Sequence, residues 1–181
     1  IVAVMAYCAI RLTGLSGPIA IALANAFTFI PYHFGRGIGH LTLGLMLGLA
    51  SGVLLALLIG SGRMTEWFRL PSTSLRIQAA VVVSVLVMVT AWTGVYYAFF
   101  GLVLLGAALV WRISARDSFR NLLPGLLATV GLAAATGIGL ASVLVSRANA
   151  PAAAAVSLRD PMDSVSYAGN LAIALIPQPY S

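Results

Sequence analysis

The sequence predicts an all-α, polytopic transmembrane helix bundle of about six apolar segments, some of them short or re-entrant. Three observations carry that expectation. The 181 residues are 61% hydrophobic and 8% charged, with a mean hydropathy of +1.03, well beyond the composition of a soluble domain. Several apolar runs approach the roughly 20 residues that a helix needs to cross ~30 Å of hydrocarbon. Small residues recur every four positions in two of those runs, the spacing by which membrane helices approach one another closely.

Residues 1–10 read as the end of a first helix. The chain begins at Ile1 inside an apolar run and stops at Ser181 after Pro177-Gln178-Pro179-Tyr180, and is expected to be a fragment of a larger protein. A secretory signal core is the poorer reading of residues 1–10, because no basic stretch precedes them and no convincing cleavage site follows before Arg11. Cys8, the single cysteine, has no disulfide partner within the chain and reads as a small buried hydrophobe. Residues 18–30 form a short segment and residues 41–60 one of full length. Residues 78–111 form a hairpin turning at residues 90–94; its first arm, 78–89, is too short to span at ~1.5 Å per residue and is expected to be tilted or re-entrant. Residues 95–111 are near full length and residues 122–145 are long, closing a bundle of residues 1–145. Residues 146–181 are expected to be an external linker, broken at Pro151 and Pro161, and then a short interfacial or bundle-packed helix over 164–176.

Charge gives the orientation. Ten arginines, no lysine and four acids (Glu66, Asp117, Asp160 and Asp163) make a formal charge of +6. The arginines fall singly between apolar spans, with no basic stripe or aromatic platform to follow a phosphate backbone, so nucleic acid is excluded as a partner. Placing Arg11, Arg63, Arg69, Arg76, Arg112, Arg116 and Arg120 in the cytoplasm leaves Arg36, Arg147 and Arg159 outside, and seven against three favours that orientation. Residues 31–40, the turn at 91–94 and the tail 146–181 then share the external side.

Gly44, Gly48, Gly52, Ala56 and Gly60 form one small-residue ridge. Gly131, Ala135 and Gly139 form a second, beside Ala133, Gly137 and Ala141. These read as packing faces rather than cofactor sites.

Chemistry is concentrated in residues 31–40, which hold both histidines and Arg36. Gly35-Arg36-Gly37-Ile38-Gly39 is not a dinucleotide fingerprint, since no strand precedes it and the spacing differs. Alternate glycines leave backbone amides open, which suits a lipid phosphate or pyrophosphate held by Arg36. The alternative is that Arg36 and Tyr32 anchor a helix at the headgroup level. His33 and His40 lie seven apart and would align only in a helix, which three glycines oppose, so no metal site is expected there. In the tail, Asp160 and Asp163 beside Arg159 could serve as a general base or as oxygen ligands, against the alternative of a solvated turn at Asp160-Pro161. Trp92, Tyr96 and Tyr97 read either as an interfacial aromatic belt or as a platform for a sugar ring or polyprenyl chain.

Three local patterns give a resemblance. They are Pro31-Tyr32-His33-Phe34 with Arg36-Gly37 and Gly39-His40-Leu41, then Tyr96-Tyr97-Ala98-Phe99-Phe100, then Arg159, Tyr167 and residues 175–177. With them the chain resembles multi-spanning bacterial membrane proteins related to the GT-C glycosyltransferases. The resemblance implies a polytopic helical enzyme of the cytoplasmic (inner) membrane that takes a sugar from a polyprenyl-phosphate donor at the outer face. The acidic motif of that class lies in an external loop after the first helix; this chain is expected to begin after it, which leaves the catalytic aspartate outside. The site expectation is then Arg36 and Arg159 on the donor phosphate and Tyr32, Trp92, Tyr96 and Tyr97 on sugar or lipid, with Asp160, Asp163, His33 and His40 as candidates for catalysis. The residues establish no cofactor; a divalent metal ion in the full-length protein is the one candidate. The partners expected are membrane lipid, the lipid-linked donor and the remaining helices of the parent protein. Two alternatives stand beside this reading: a transporter or lipid flippase built on the short segments 18–30 and 78–89, and a non-catalytic membrane subunit docking through its glycine ridges.

Overall fold

The structure, a computed structural model, describes residues 1–29 and 46–148. Among them it is all-helical: α1 (Val2–Leu12), α2 (Gly17–Thr28), α3 (Leu47–Gly60), α4 (Arg63–Phe68), α5 (Thr73–Trp92), α6 (Val95–Ser114) and α7 (Phe119–Ala148). Three of these, α5, α6 and α7, are long and apolar enough to cross a membrane. The helices α1, α2 and α3 are apolar but shorter.

Local chemistry explains most of the boundaries. Pro18 stands in the first turn of α2, where its missing N–H costs nothing. Pro71 separates α4 from α5, and Ser72 is the N-cap of α5. At the end of α3, Gly62 takes the left-handed conformation (φ 81°) and donates its N–H to Ile59 O, closing the helix C-terminus. α6 ends in the same manner with a non-glycine residue. Arg116 has φ 59°, its N–H bonds to Ile113 O and that of Asp117 to Arg112 O, which together make a Schellman turn.

The arm expected to be short is instead a full helix. α5 begins at Thr73 and ends at Trp92, 20 residues long, because an exposed arginine such as Arg76 is a good helix former and extends to the aqueous boundary without breaking the helix. A six-residue helix, α4, also stands between the apolar runs. α7 extends past both expected ends and carries Pro124 one turn into its length. Cys8 is exposed on α1 rather than buried, since the packed face of that helix is Ala6 and Ala9.

The glycine ridge of α3 performs the packing expected of it. A Cβ at Gly48 would collide with Thr93 Oγ1 and lie 2.9 Å from Tyr97 Cβ, and one at Gly52 would lie 3.5 Å from Gly101 Cα. α6 therefore crosses α3 almost backbone to backbone. A Cβ at Gly101 would lie 2.8 Å from Thr90 Cγ2 and 3.1 Å from Leu132 Cδ2, while Gly125 of α7 fits against Ile59 and Leu109. On α7 the ridges divide: Ala135 is buried, whereas Ala133, Gly137 and Ala141 are exposed.

Around these contacts lies one apolar core, with Leu55, Leu58, Met64, Leu105 and Leu132 fully enclosed. The outer surface is no less apolar. Val81, Val85, Phe99, Phe100, Val103, Val110, Leu127 and Val130 all point outward from the three long helices. A water-facing surface of this kind would be a strong aggregation hazard, whereas hydrocarbon solvates it.

The helix directions sort the ends of the bundle. α3 and α6 finish, and α5 and α7 start, at one end, which gathers Arg63, Arg69, Arg76, Arg112, Arg116 and Arg120 around α4. The opposite end holds the α5–α6 turn, the start of α3 and the last turns of α7. α1 and α2 form a hairpin beside α3, joined through residues 13–16, with Ala20 and Ala24 buried and Ser51 Oγ donating to Met5 Sδ at 3.3 Å.

Candidate functional site

Of the residues proposed from sequence, Tyr32, His33, Arg36, His40, Arg159, Asp160 and Asp163 lie outside the described residues. The aromatic group lies within them, and the structure divides it. Trp92 and Tyr96 flank the α5–α6 turn and are 66% and 59% exposed. Tyr97, on the next face of α6, is buried; its Cβ lies against Gly48, and its hydroxyl donates to Met46 Sδ at 3.8 Å. In the run that follows, Ala98 is fully buried while Phe99 and Phe100 point outward, edge to face at 5.7 Å. Trp92 and Tyr96 are thus open to a ligand or a lipid headgroup, and Tyr97 serves the α3–α6 contact.

Below Trp92 runs a groove between α5 and α7, of about 610 Å³. Its floor is the buried Val83, Val87, Ala128 and Ala135, and Met88, Leu127 and Ile138 stand exposed on its rims. Trp92 and Ile138 close one end; Phe68, Leu123 and Pro124 close the other, beside the arginines. Ser84 is the one hydroxyl side chain lining it, so the groove suits a hydrocarbon chain.

The arginine end holds a polar network that residue spacing did not disclose. Arg112 is buried, donating Nη1 to Ile59 O at 2.8 Å and Nε to Asp117 Oδ2. Asn121 Nδ2 donates to Asp117 Oδ1 at 3.4 Å; its own Oδ1 accepts from Arg69 at 2.7 Å, and its backbone carbonyl accepts from Thr65 Oγ1 at 2.6 Å. The Arg112 guanidinium, with Asn121, holds the Asp117 carboxyl below its ordinary value of 3.8. This network ties the C-terminal ends of α3 and α6 to α4 and the start of α7. Its members are paired with one another, so it reads as a structural clasp. The one hint in the sequence was an acid five residues beyond Arg112; the third partner, Ile59 O, comes from 53 residues away.

No group of three or more His, Cys, Asp or Glu side chains able to hold a metal occurs among the described residues. Fold and site together define an all-helical protein with three helices able to cross a membrane and an apolar groove flanked by aromatics at one end and arginines at the other. Comparison with protein-family models, with curated proteins and with solved structures gave no match.

Proposed function

We propose that this chain is a segment of an integral membrane glycosyltransferase that uses a lipid-linked sugar donor at the outer face of a bacterial inner membrane. The observation that carries the reading is the pairing of exposed Trp92 and Tyr96 at the end of the bundle where α3 starts and α7 runs out, opposite six arginines. By the excess of arginine the opposite end is cytoplasmic, so the aromatic end is external. In this reading Arg36 and Arg159 hold the donor phosphate. His33, His40, Asp160 and Asp163 are the candidates to shape the acceptor side, and Trp92 and Tyr96 supply faces on which a sugar ring or the first isoprene units stack.

The test is binding of a polyprenyl-phosphate sugar to the full-length protein in nanodiscs. Arg36→Ala is expected to weaken donor binding at least tenfold, as loss of a charge-assisted phosphate contact does, roughly 1.5–3 kcal/mol. Unchanged donor affinity and turnover in that variant would remove the donor role. A second reading, a lipid flippase or transporter built on segments 18–30 and 78–89, keeps only the first as a short helix, α2, since residues 78–89 belong to the full-length α5. It requires a thiol introduced at position 36 to change its accessibility with substrate, which the enzyme reading does not.

A further inference from the structure

The groove between α5 and α7 ends among arginines, and the helical register puts two of them on its walls. On α5, Arg76 lies one turn before Ala80, a lining residue; on α7, Arg120 lies one turn before Pro124, another. Arg69 directly follows Phe68, the lining residue on α4. All three are exposed. Arg69 is hydrogen-bonded to Asn121 and Arg76 to Thr73, both uncharged side chains, and among the described residues neither they nor Arg120 form an ion pair. The acids at this end are Asp117, committed to Arg112, and Glu66 on α4, so the foot of the groove stays strongly positive. Upward from it the lining is apolar apart from Ser84 over the 16 residues from Leu123 to Ile138, roughly 22 Å of helix.

We infer that this groove is a binding site for an anionic phospholipid of the leaflet at the arginine-rich end, its phosphate held by Arg76 and Arg120 with Arg69 beside them, and one acyl chain lying between α5 and α7. The match is one of charge and shape. A cationic foot selects a negatively charged headgroup over a zwitterionic one. An apolar slot at least as long as half of the ~30 Å hydrocarbon layer accepts a single acyl chain from that leaflet. A polyprenyl chain entering from the Trp92 end would require no arginine at the far end. The site is independent of the donor reading, which concerns the other end of the bundle.

The experiment uses the full chain in nanodiscs and a phosphatidylglycerol probe with a photoactivatable diazirine near the end of one acyl chain. Labelling is expected on the groove rim, at Ala134, Ile138 or Trp92, and competition by unlabelled phosphatidylglycerol should exceed that by phosphatidylcholine. Arg76→Gln and Arg120→Gln are each expected to weaken phosphatidylglycerol binding about fivefold, the worth of one arginine at an anionic lipid surface. Both residues are exposed, so an unchanged thermal midpoint shows that the fold survives the change. Ala134→Phe, which fills the slot and leaves the arginines in place, should abolish rim labelling. Equal competition by the two phospholipids, or labelling indifferent to both arginine variants, would overturn the proposal. So would displacement of the probe by a polyprenyl phosphate whose own binding does not depend on the arginines.

Discussion

Arg112 shows how much one side chain can organise in an apolar chain. Its guanidinium is buried, yet it gives the Ile59 carbonyl of α3 a second hydrogen bond beside that from Gly62 N–H and neutralises Asp117 in the α6–α7 turn. The acid has a consequence that pH can read. Its carboxyl is lowered below the ordinary value of 3.8 in the folded protein, so between the two values the unfolded chain binds more protons than the folded one. The stabilisation from this pair is therefore complete above the unfolded value and is lost as pH falls through the folded value. Thermal midpoints from about pH 6 to about pH 2 should fall more steeply in the wild type than in Asp117→Asn. Parallel curves would show that the pair contributes nothing. The excess of arginine was readable from composition; that Arg112 differs from its exposed neighbours was not, because nothing local distinguishes it from Arg116.

At the scale of elements, the bundle is held by fit rather than by hydrophobic transfer, since lipid is as apolar as the core. The glycines test this, because identical residues in one helix have opposite surroundings. In α6, a Cβ at Gly101 would meet Thr90 Cγ2 at 2.8 Å, whereas one at Gly106 would meet nothing within 4 Å. Gly101→Ala should therefore destabilise the protein by about 1–3 kcal/mol through overpacking, while Gly106→Ala should stabilise it by about 0.5–1 kcal/mol through helix propensity. Unfolding in mixed micelles followed by circular dichroism separates the two, and equal shifts would refute close packing of α6 on α5 and α7. The ridge at Gly48 and Gly52 was legible from spacing alone. The partner of that ridge was not, nor was the length of α5, because an arginine near a helix start marks the aqueous boundary in charge counting without ending the helix.

For the whole molecule, the arrangement of ends is the property that matters most. Six arginines at one end and the α5–α6 turn at the other should put the two ends of α6 on opposite sides of a membrane. In a Cys8→Ala background, Arg116→Cys should react with an impermeant maleimide from the cytoplasmic side and Val95→Cys from the external side. Labelling of both from one side would refute the crossing. The sequence by itself determined the all-helical class, the apolar runs, the small-residue ridges and the segregation of arginine, because each is written in composition or in a period of about four residues. Only the tertiary structure decided that Trp92 and Tyr96 stay open while Tyr97 is buried, that α5 and α7 enclose a groove, and that Arg112 reaches a carbonyl 53 residues away. The physical reason is that in a chain apolar on every face, hydrophobic periodicity no longer separates the side that meets lipid from the side that meets another helix. Shape complementarity makes that choice, and it exists only once the helices are together.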